Sequence, residues 1–291
     1  MGWGGVAPQS QTHQGMLLRR ALPQPISGAT NVIVFMTRST KGAAVVEIIA
    51  HRGASFDAPE NTLAALRLAY QQRADAAELD LRLTKDGQLV VIHDANTRRV
   101  AGIANHVASR AFAQLRRLDV AQWGKWKDRA FAEKIPSLAE ALAIVPEGKR
   151  LFLELKCGPE VLPALDRALQ RAARPPPPTV IIGFGYRTVR RAKAMFPSLE
   201  VCWLASRSRT TRRFPPLRRL ILRAKAANLD GLDLEAGFPI DKEFVRQVHQ
   251  AGLKLYTWTV DDPALARKRA AAGVDGLTTN RPGWLREQLS L

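Results

Sequence analysis

From Val45 onward, short apolar runs alternate with longer amphipathic stretches. Short apolar runs bounded by turn residues read as buried strands, and stretches with apolar positions three and four apart read as helices. Strands are thus predicted at 45–50, 77–83, 151–156, 179–184, 200–205, 230–235, 254–260 and 275–279. Helices are predicted at 62–72, 137–145, 160–172, 187–195, 216–227, 241–251, 262–272 and 282–289. Asn61 or Thr62 offers the first helix a capping oxygen. Gly252 and Gly273 stand where glycine ends a helix. Eight strands alternating with eight helices predict an α/β protein, a TIM (β/α)8 barrel.

Two features interrupt the alternation. Gln88-Leu89-Val90-Val91-Ile92 follows the second strand through Lys85-Asp86-Gly87, and Asp-Gly between apolar runs signals a hairpin. Residues 95–136 then delay the next helix and carry Trp123 and Trp126. They read as a small insertion after strand 2, on the face where barrels place their chemistry, forming a lid or substrate wall. The barrel domain is therefore expected over 45–291. Residues 1–44 read as a disordered extension, or as the product of an early start with Met36 the true one. Arg19-Arg20 runs into Ala-Leu-Pro-Gln-Pro, without the apolar region of an export signal.

Composition narrows the class. Of 291 residues, 46% are hydrophobic and 24% charged, the balance of an ordinary globular protein. No run approaches the roughly 18 apolar residues of a membrane span. The net charge of +18 points to nucleic acid, an anionic membrane surface or anionic small molecules. Its arginines are dispersed and lack interleaved aromatics, so no specific nucleic-acid binding is expected. Peripheral contact with an anionic membrane stays open, as does oligomeric state. Two cysteines, Cys157 and Cys202, make neither a disulfide framework nor a zinc pattern, and fit a cytoplasmic protein.

The chemistry lies at strand ends. His51-Arg52-Gly53 follows the first strand at once. An imidazole moves protons near neutral pH, and a guanidinium holds a phosphate. Glu78-Leu79-Asp80 puts two carboxylates on one strand face, because side chains alternate. Such a pair repels when buried, and a divalent cation relieves it. Oxygen ligands favour Mg²⁺ or Ca²⁺ over zinc. Glu154 and Lys156 share a face on the third strand, where Glu154 could complete the metal site and Lys156 neutralise a phosphate. His93-Asp94 supplies a second imidazole, with Asp94 placed to orient the ring. Two histidines around a cation site suggest an acid and a base on either side of a scissile bond. Taken alone, each motif reads as a structural charge or core histidine; together they read as a site.

These motifs, with Pro59-Glu60-Asn61-Thr62 and the closing runs Tyr256–Asp261 and Gly273–Pro282, resemble the glycerophosphodiester phosphodiesterase family over about residues 45–285. The resemblance implies a TIM barrel with an insertion after strand 2. It implies a metal on Glu78, Asp80 and Glu154, His51 and His93 as acid–base pair, and Arg52 and Lys156 at the phosphate. Glu60 and Asn61 would support the site, and Trp258 would line the pocket for glycerol or its leaving group. The substrate would be a glycerophosphodiester, and the products glycerol 3-phosphate and an alcohol such as choline or ethanolamine. Either histidine could be the first base, and the attacker is either the glycerol 2-hydroxyl or water. The loop Ala54–Ala58, the segment Gly183–Tyr186 and the Arg-rich stretch 206–223 depart from the family pattern and bear on substrate range. Rivals are a lysophospholipase D-like enzyme at a membrane surface and a non-catalytic polyanion-binding barrel.

Overall fold

The computed structural model describes residues 1–2, 46–121, 124–127, 131–172 and 175–291. All but the first two residues of the expected extension, and Trp123, lie outside them. The described chain runs β1 (Glu47–His51), α1 (Leu63–Gln71), β2 (Ala76–Leu83), β3 (Leu89–Val91), α2 (Arg98–Ala101), α3 (Phe112–Leu115), α4 (Leu138–Ile144) and β4 (Arg150–Leu155). It continues through α5 (Leu162–Gln170), β5 (Thr179–Gly183), α6 (Tyr186–Met195), β6 (Glu200–Ala205), α7 (Leu217–Ala226) and β7 (Gly231–Glu235). It ends with α8 (Lys242–Gln250), β8 (Lys254–Trp258), α9 (Pro263–Ala272), β9 (Gly276–Thr279) and α10 (Pro282–Gln288).

Eight strands pair in parallel, β1-β2-β4-β5-β6-β7-β8-β9, and β9 returns to β1. The barrel is closed, as the alternation predicts. β3 lies outside the ring as an antiparallel arm on β2, with Leu81 opposite Val91. Its turn contains Gly87 at φ 74, the left-handed conformation that the Asp-Gly pair anticipates. Thr62 is the residue that caps α1, accepting the amide of Ala65.

Strand alternation divides the core in two. Outward side chains such as Leu79, Leu153, Leu232 and Leu277 meet the helices. Inward ones, including Ile49, Phe152, Val180, Cys202 and Tyr256, fill the lower barrel. The Phe152 and Tyr256 rings meet edge to face at 5.1 Å. Gly276 makes room for this packing, because a Cβ there would lie 2.8 Å from the Tyr256 ring. Above this apolar plug the inward positions become polar: His51, Glu78, Asp80, Glu154 and Asp233.

The insertion differs from a simple lid. Its described part buries Val107, Leu115, Val120 and Ile135 against Val90 and Ile92, giving it a small core of its own. Trp126 and Lys125 line a hollow of ≈ 240 Å³ beside Arg52, rather than the larger cavity at the barrel mouth. Among the described residues, no helix is long and apolar enough to cross a membrane.

Candidate active site

Register brings the strand-end residues together. β1 and β2 align His51 with Glu78, and β2 and β4 align Asp80 with Glu154. A cavity of ≈ 890 Å³ opens there, lined by His51, Arg52, Glu78, His93, Glu154, Lys156 and Trp258 among others. Asp80 and Asn61 lie behind its wall. Asn61 donates to Asp80 Oδ2 at 2.7 Å and accepts the Asp80 amide at 3.1 Å.

The tight turn after β1 explains the His-Arg-Gly sequence. Arg52 and Gly53 both have positive φ, 57° and 78°. A Cβ on Gly53 would lie 2.5 Å from the Ala65 backbone, so only glycine fits. The turn points the Arg52 amide at Glu78 Oε2, 2.9 Å away. The Arg52 guanidinium contacts Glu60 at 3.0 Å and Asp80 at 3.2 Å.

Glu78, Asp80 and Glu154 each offer a buried oxygen, and these atoms lie within 4.8 Å of one another. Glu78 Oε1 has no hydrogen-bond donor. Asp80 Oδ1 and Glu154 Oε1 face Lys156 Nζ at 3.1 and 2.6 Å, without hydrogen-bond geometry. Burial, then Asp80 and Glu154, push the Glu78 carboxyl well above its usual range. Burial and Asp80 push Glu154 up to about 7. Burial opposes ionisation of Asp80 too, but Lys156 and Arg52 overcome it and hold that carboxyl at about 2. Crowded carboxylates with orphaned oxygens fit a hard divalent cation, which supplies the charge and contacts they lack. Lys156 lines the cavity with its ammonium group drawn down onto these carboxylates, not free in the space above.

The two histidines have different partners. His51 Nδ1 lies 2.8 Å from Asn280 Oδ1. The Asn280 Nδ2 group donates to Asp261 at 2.5 Å, and its backbone amide donates to the same carboxylate at 2.8 Å. Asp261 can only accept, so Asn280 presents its oxygen to His51, and His51 Nδ1 carries the proton. His51 Nε2 is left as a lone pair. Burial, reinforced by Arg52, lowers the ring to about 4, so it is neutral near pH 7. His93 Nδ1 instead meets Asp94 at 2.7 Å. Asp94 is gripped by Arg99 at 2.6 Å, and Arg99 also holds both Glu60 oxygens at 2.7 Å. Burial lowers His93 as well, with Asp80 and Asp94 acting against it.

Sequence reading passed over four supporting residues. Arg82 donates to the backbone carbonyls of His93 at 2.8 Å and Lys156 at 3.4 Å, tying two parts of the site together. Its inward alternation with Glu78 and Asp80 was the available signal. Asp233 is buried in the cavity wall, its carboxyl pushed well up by burial and then by Glu154. It lies two residues before Glu235 on β7. Asn280 and Asp261 sat inside a recognised motif, but the bond of Asn280 to His51 spans 229 positions, and Asp261 acts on His51 only through Asn280. Glu235 lines a neighbouring hollow and not the main cavity. Trp258 lines both, with its indole N–H 3.3 Å from the Asp233 carbonyl.

Comparisons with known proteins place the chain in a family. A sequence profile of the glycerophosphoryl diester phosphodiesterase family matches residues 51–284. A glycerophosphodiester phosphodiesterase of Caldanaerobacter subterraneus is 32% identical, covering 81% of this chain and 94% of its own. An Oleispira antarctica phosphodiesterase, solved with the product sn-glycerol-3-phosphate, superposes with TM-score 0.75 at 30% identity, over 85% of this chain and 98% of that one. The Agrobacterium tumefaciens glycerophosphodiester phosphodiesterase superposes with TM-score 0.65 at 27% identity, over 83% and 99%. By profile, sequence and fold, this chain belongs to the glycerophosphoryl diester phosphodiesterase family, whose members are phosphoric diester hydrolases.

Proposed function

We propose that this protein is a metal-dependent glycerophosphodiester phosphodiesterase, releasing sn-glycerol 3-phosphate and an alcohol through His51 and His93. The observation that carries the reading is that both imidazoles line one cavity with Glu78 and Glu154, two of the three clustered carboxylates. Glu78, Asp80 and Glu154 would hold Mg²⁺ or Ca²⁺. When bound, the cation supplies charge to stabilise the phosphoryl oxygens. Arg52 and Lys156 add positive charge on the same wall.

The hydrogen-bond partners support different roles for the two histidines. His51 has a neutral amide at Nδ1 and a free Nε2, so it takes the proton of the attacker, either water or the glycerol 2-hydroxyl, whose cyclic phosphate water then opens to glycerol 3-phosphate. His93 has a carboxylate at Nδ1, which acts against the lowering of its pKa by burial and supports it as the proton donor. It gives a proton from Nε2 to the departing alcohol oxygen as the P–O bond to that oxygen breaks. Glu60, through Arg99 and Asp94, braces that ring. The paired rims of Trp258 and Phe184, 5.5 Å apart and perpendicular, wall the space for the organic groups. The free thiols Cys157 and Cys202 fit a cytoplasmic setting.

A second reading has one observation behind it. Phe56, Ile103 and Phe184 are 49%, 58% and 43% exposed, on the β1–α1 loop, the insertion and the β5–α6 loop. Apolar side chains among cations suit an anionic membrane, where lysophospholipids would be reached.

The test is release of sn-glycerol 3-phosphate from glycerophosphocholine with Mg²⁺, Ca²⁺ or EDTA. Metal-dependent release supports the proposal. Hydrolysis of lysophospholipid vesicles, with no action on the soluble diester, selects the second reading.

A further inference from the structure

Beside the catalytic cavity lies a second hollow of ≈ 490 Å³. The two share Ser206, Arg209, Trp258 and Thr259 in their walls, so they adjoin at the Trp258 ring. The outer wall comes from the Arg-rich tract between β6 and α7. Ser208 N–H donates to the Arg213 carbonyl and Arg212 N–H to the Ser208 carbonyl, both at 2.9 Å. Thr211 N–H donates to Ser208 Oγ at 3.1 Å. These bonds close a compact turn, with Arg212 at its tip in the left-handed region, φ 57°.

The charges of this annex are lopsided. Arg207, Arg209 and Arg212 line it, against a single carboxylate, Glu235. Glu235 Oε2 is already taken by the Arg207 backbone amide at 2.8 Å. Among the described residues, none of these three guanidiniums has an ion-pair or hydrogen-bond partner. Exposed arginines are commonly just solvated. Here, however, they line one hollow that adjoins the cavity proposed to hold a phosphodiester, and a concave wall of one sign concentrates ions of the other. A phosphate in the annex would meet guanidinium forks suited to its geometry.

We propose that this annex binds a second anionic group on the leaving alcohol. The favoured substrates are glycerophosphodiesters whose alcohol itself carries a phosphate, rather than cationic choline or ethanolamine esters. This inference rests on the proposed reaction, because the annex receives what extends from the catalytic cavity.

The experiment compares glycerophosphoglycerol with the same molecule bearing a terminal phosphate. Turnover is measured in wild-type protein with Mg²⁺. Binding is measured by calorimetry in a His51→Ala background with Mg²⁺, where substrate persists. Each is repeated in an Arg209→Ala/Arg212→Gly variant, since glycine adopts φ 57° without strain and the turn survives. The expected result is roughly tenfold or greater preference for the phosphorylated substrate at low salt, shrinking as salt rises. In the double variant the ratio falls to about one. Equal affinities in the parent protein, or a preference that the variant keeps, overturn the annex even if glycerophosphoglycerol is hydrolysed. A binding preference lost in the variant, with no turnover of either diester, would sustain the annex as a phosphate site and remove the proposed glycerophosphodiester reaction.

Discussion

His51 and Asn280 meet at 2.8 Å, Nδ1 to Oδ1, across the seam where β1 and β9 close the barrel. Asn280 cannot turn over, because Asp261 holds its amide nitrogen and Thr279 donates to the same carboxylate at 2.7 Å. A carboxylate three groups from the chemistry therefore sets which nitrogen of His51 is basic. Asn280→Ala frees the ring and its tautomer. It is expected to lower kcat roughly 10- to 100-fold with little change in KM, as losses of such orienting partners do. Steady-state kinetics checks this, and wild-type kcat would show that the bond does not orient the base.

The partners of the histidines predict different leaving-group behaviour. His51→Ala and His93→Ala should each cost roughly 100-fold or more on glycerophosphocholine. A diester that releases p-nitrophenol needs no proton on the departing oxygen. On that substrate His93→Ala should recover most of its loss, and His51→Ala should not. Asp94→Asn should behave as a milder His93→Ala. The reverse pattern would exchange the two roles.

Glu78, Asp80 and Glu154 crowd together with Lys156 and Arg52 offsetting only part of their charge, and a cation bound among them relieves the remaining repulsion. Mg²⁺ or Ca²⁺ at about 100 times Kd should stabilise the protein by about 2.7 kcal/mol. That is a rise of several degrees in Tm, read by calorimetry with and without EDTA. Glu154→Gln should remove most of this rise while leaving the metal-free Tm equal or higher, since one buried charge is gone.

Glu140 links helix capping to pH. Its carboxylate closes a capping box with Ser137, receiving that amide at 2.9 Å, and pairs with Arg116 through both oxygens. The Arg116 bond lowers the carboxyl from 4.5 to about 2. A pKa depressed in the folded state gives stability that is present above the unfolded value and lost as pH falls through the folded one. Wild type should exceed Glu140→Gln by about 1 kcal/mol at pH 6. The gap should close between pH 4.5 and about 2, as thermal melts across that range would show.

Arg269, 5% exposed on α9, donates to the carbonyls of Ala236, Phe238 and Ile240. It shapes the loop after β7 that borders the arginine annex. Arg269→Met leaves those carbonyls unpaired and should cost about 3 kcal/mol or more. Denaturant unfolding measures it; a loss below about 1 kcal/mol would mean that water replaces the guanidinium.

The sequence by itself determined the barrel and the identity of its chemical groups. Strand and helix periods are local, so apolar runs at 151–155 and 231–235 appear as strands in any fold that buries them. Two-residue alternation likewise put Glu78 and Asp80 on one face before any neighbour was known. Motif resemblance then named His51, His93 and Glu154 without geometry. Tertiary structure decided what joins them. The register that sets His51 beside Glu78, and Asp80 beside Glu154, comes from the pairing of neighbouring strands and not from either strand alone. The Asn280 contact unites the first and last strands of the ring, so no local pattern carries it. Lys156 illustrates the same limit. Alternation placed it toward the cavity, but the buried carboxylates around it drew its ammonium onto Asp80 and Glu154. Charge pairing in a low-dielectric interior depends on which groups the fold assembles there, and only closure of the barrel makes that choice.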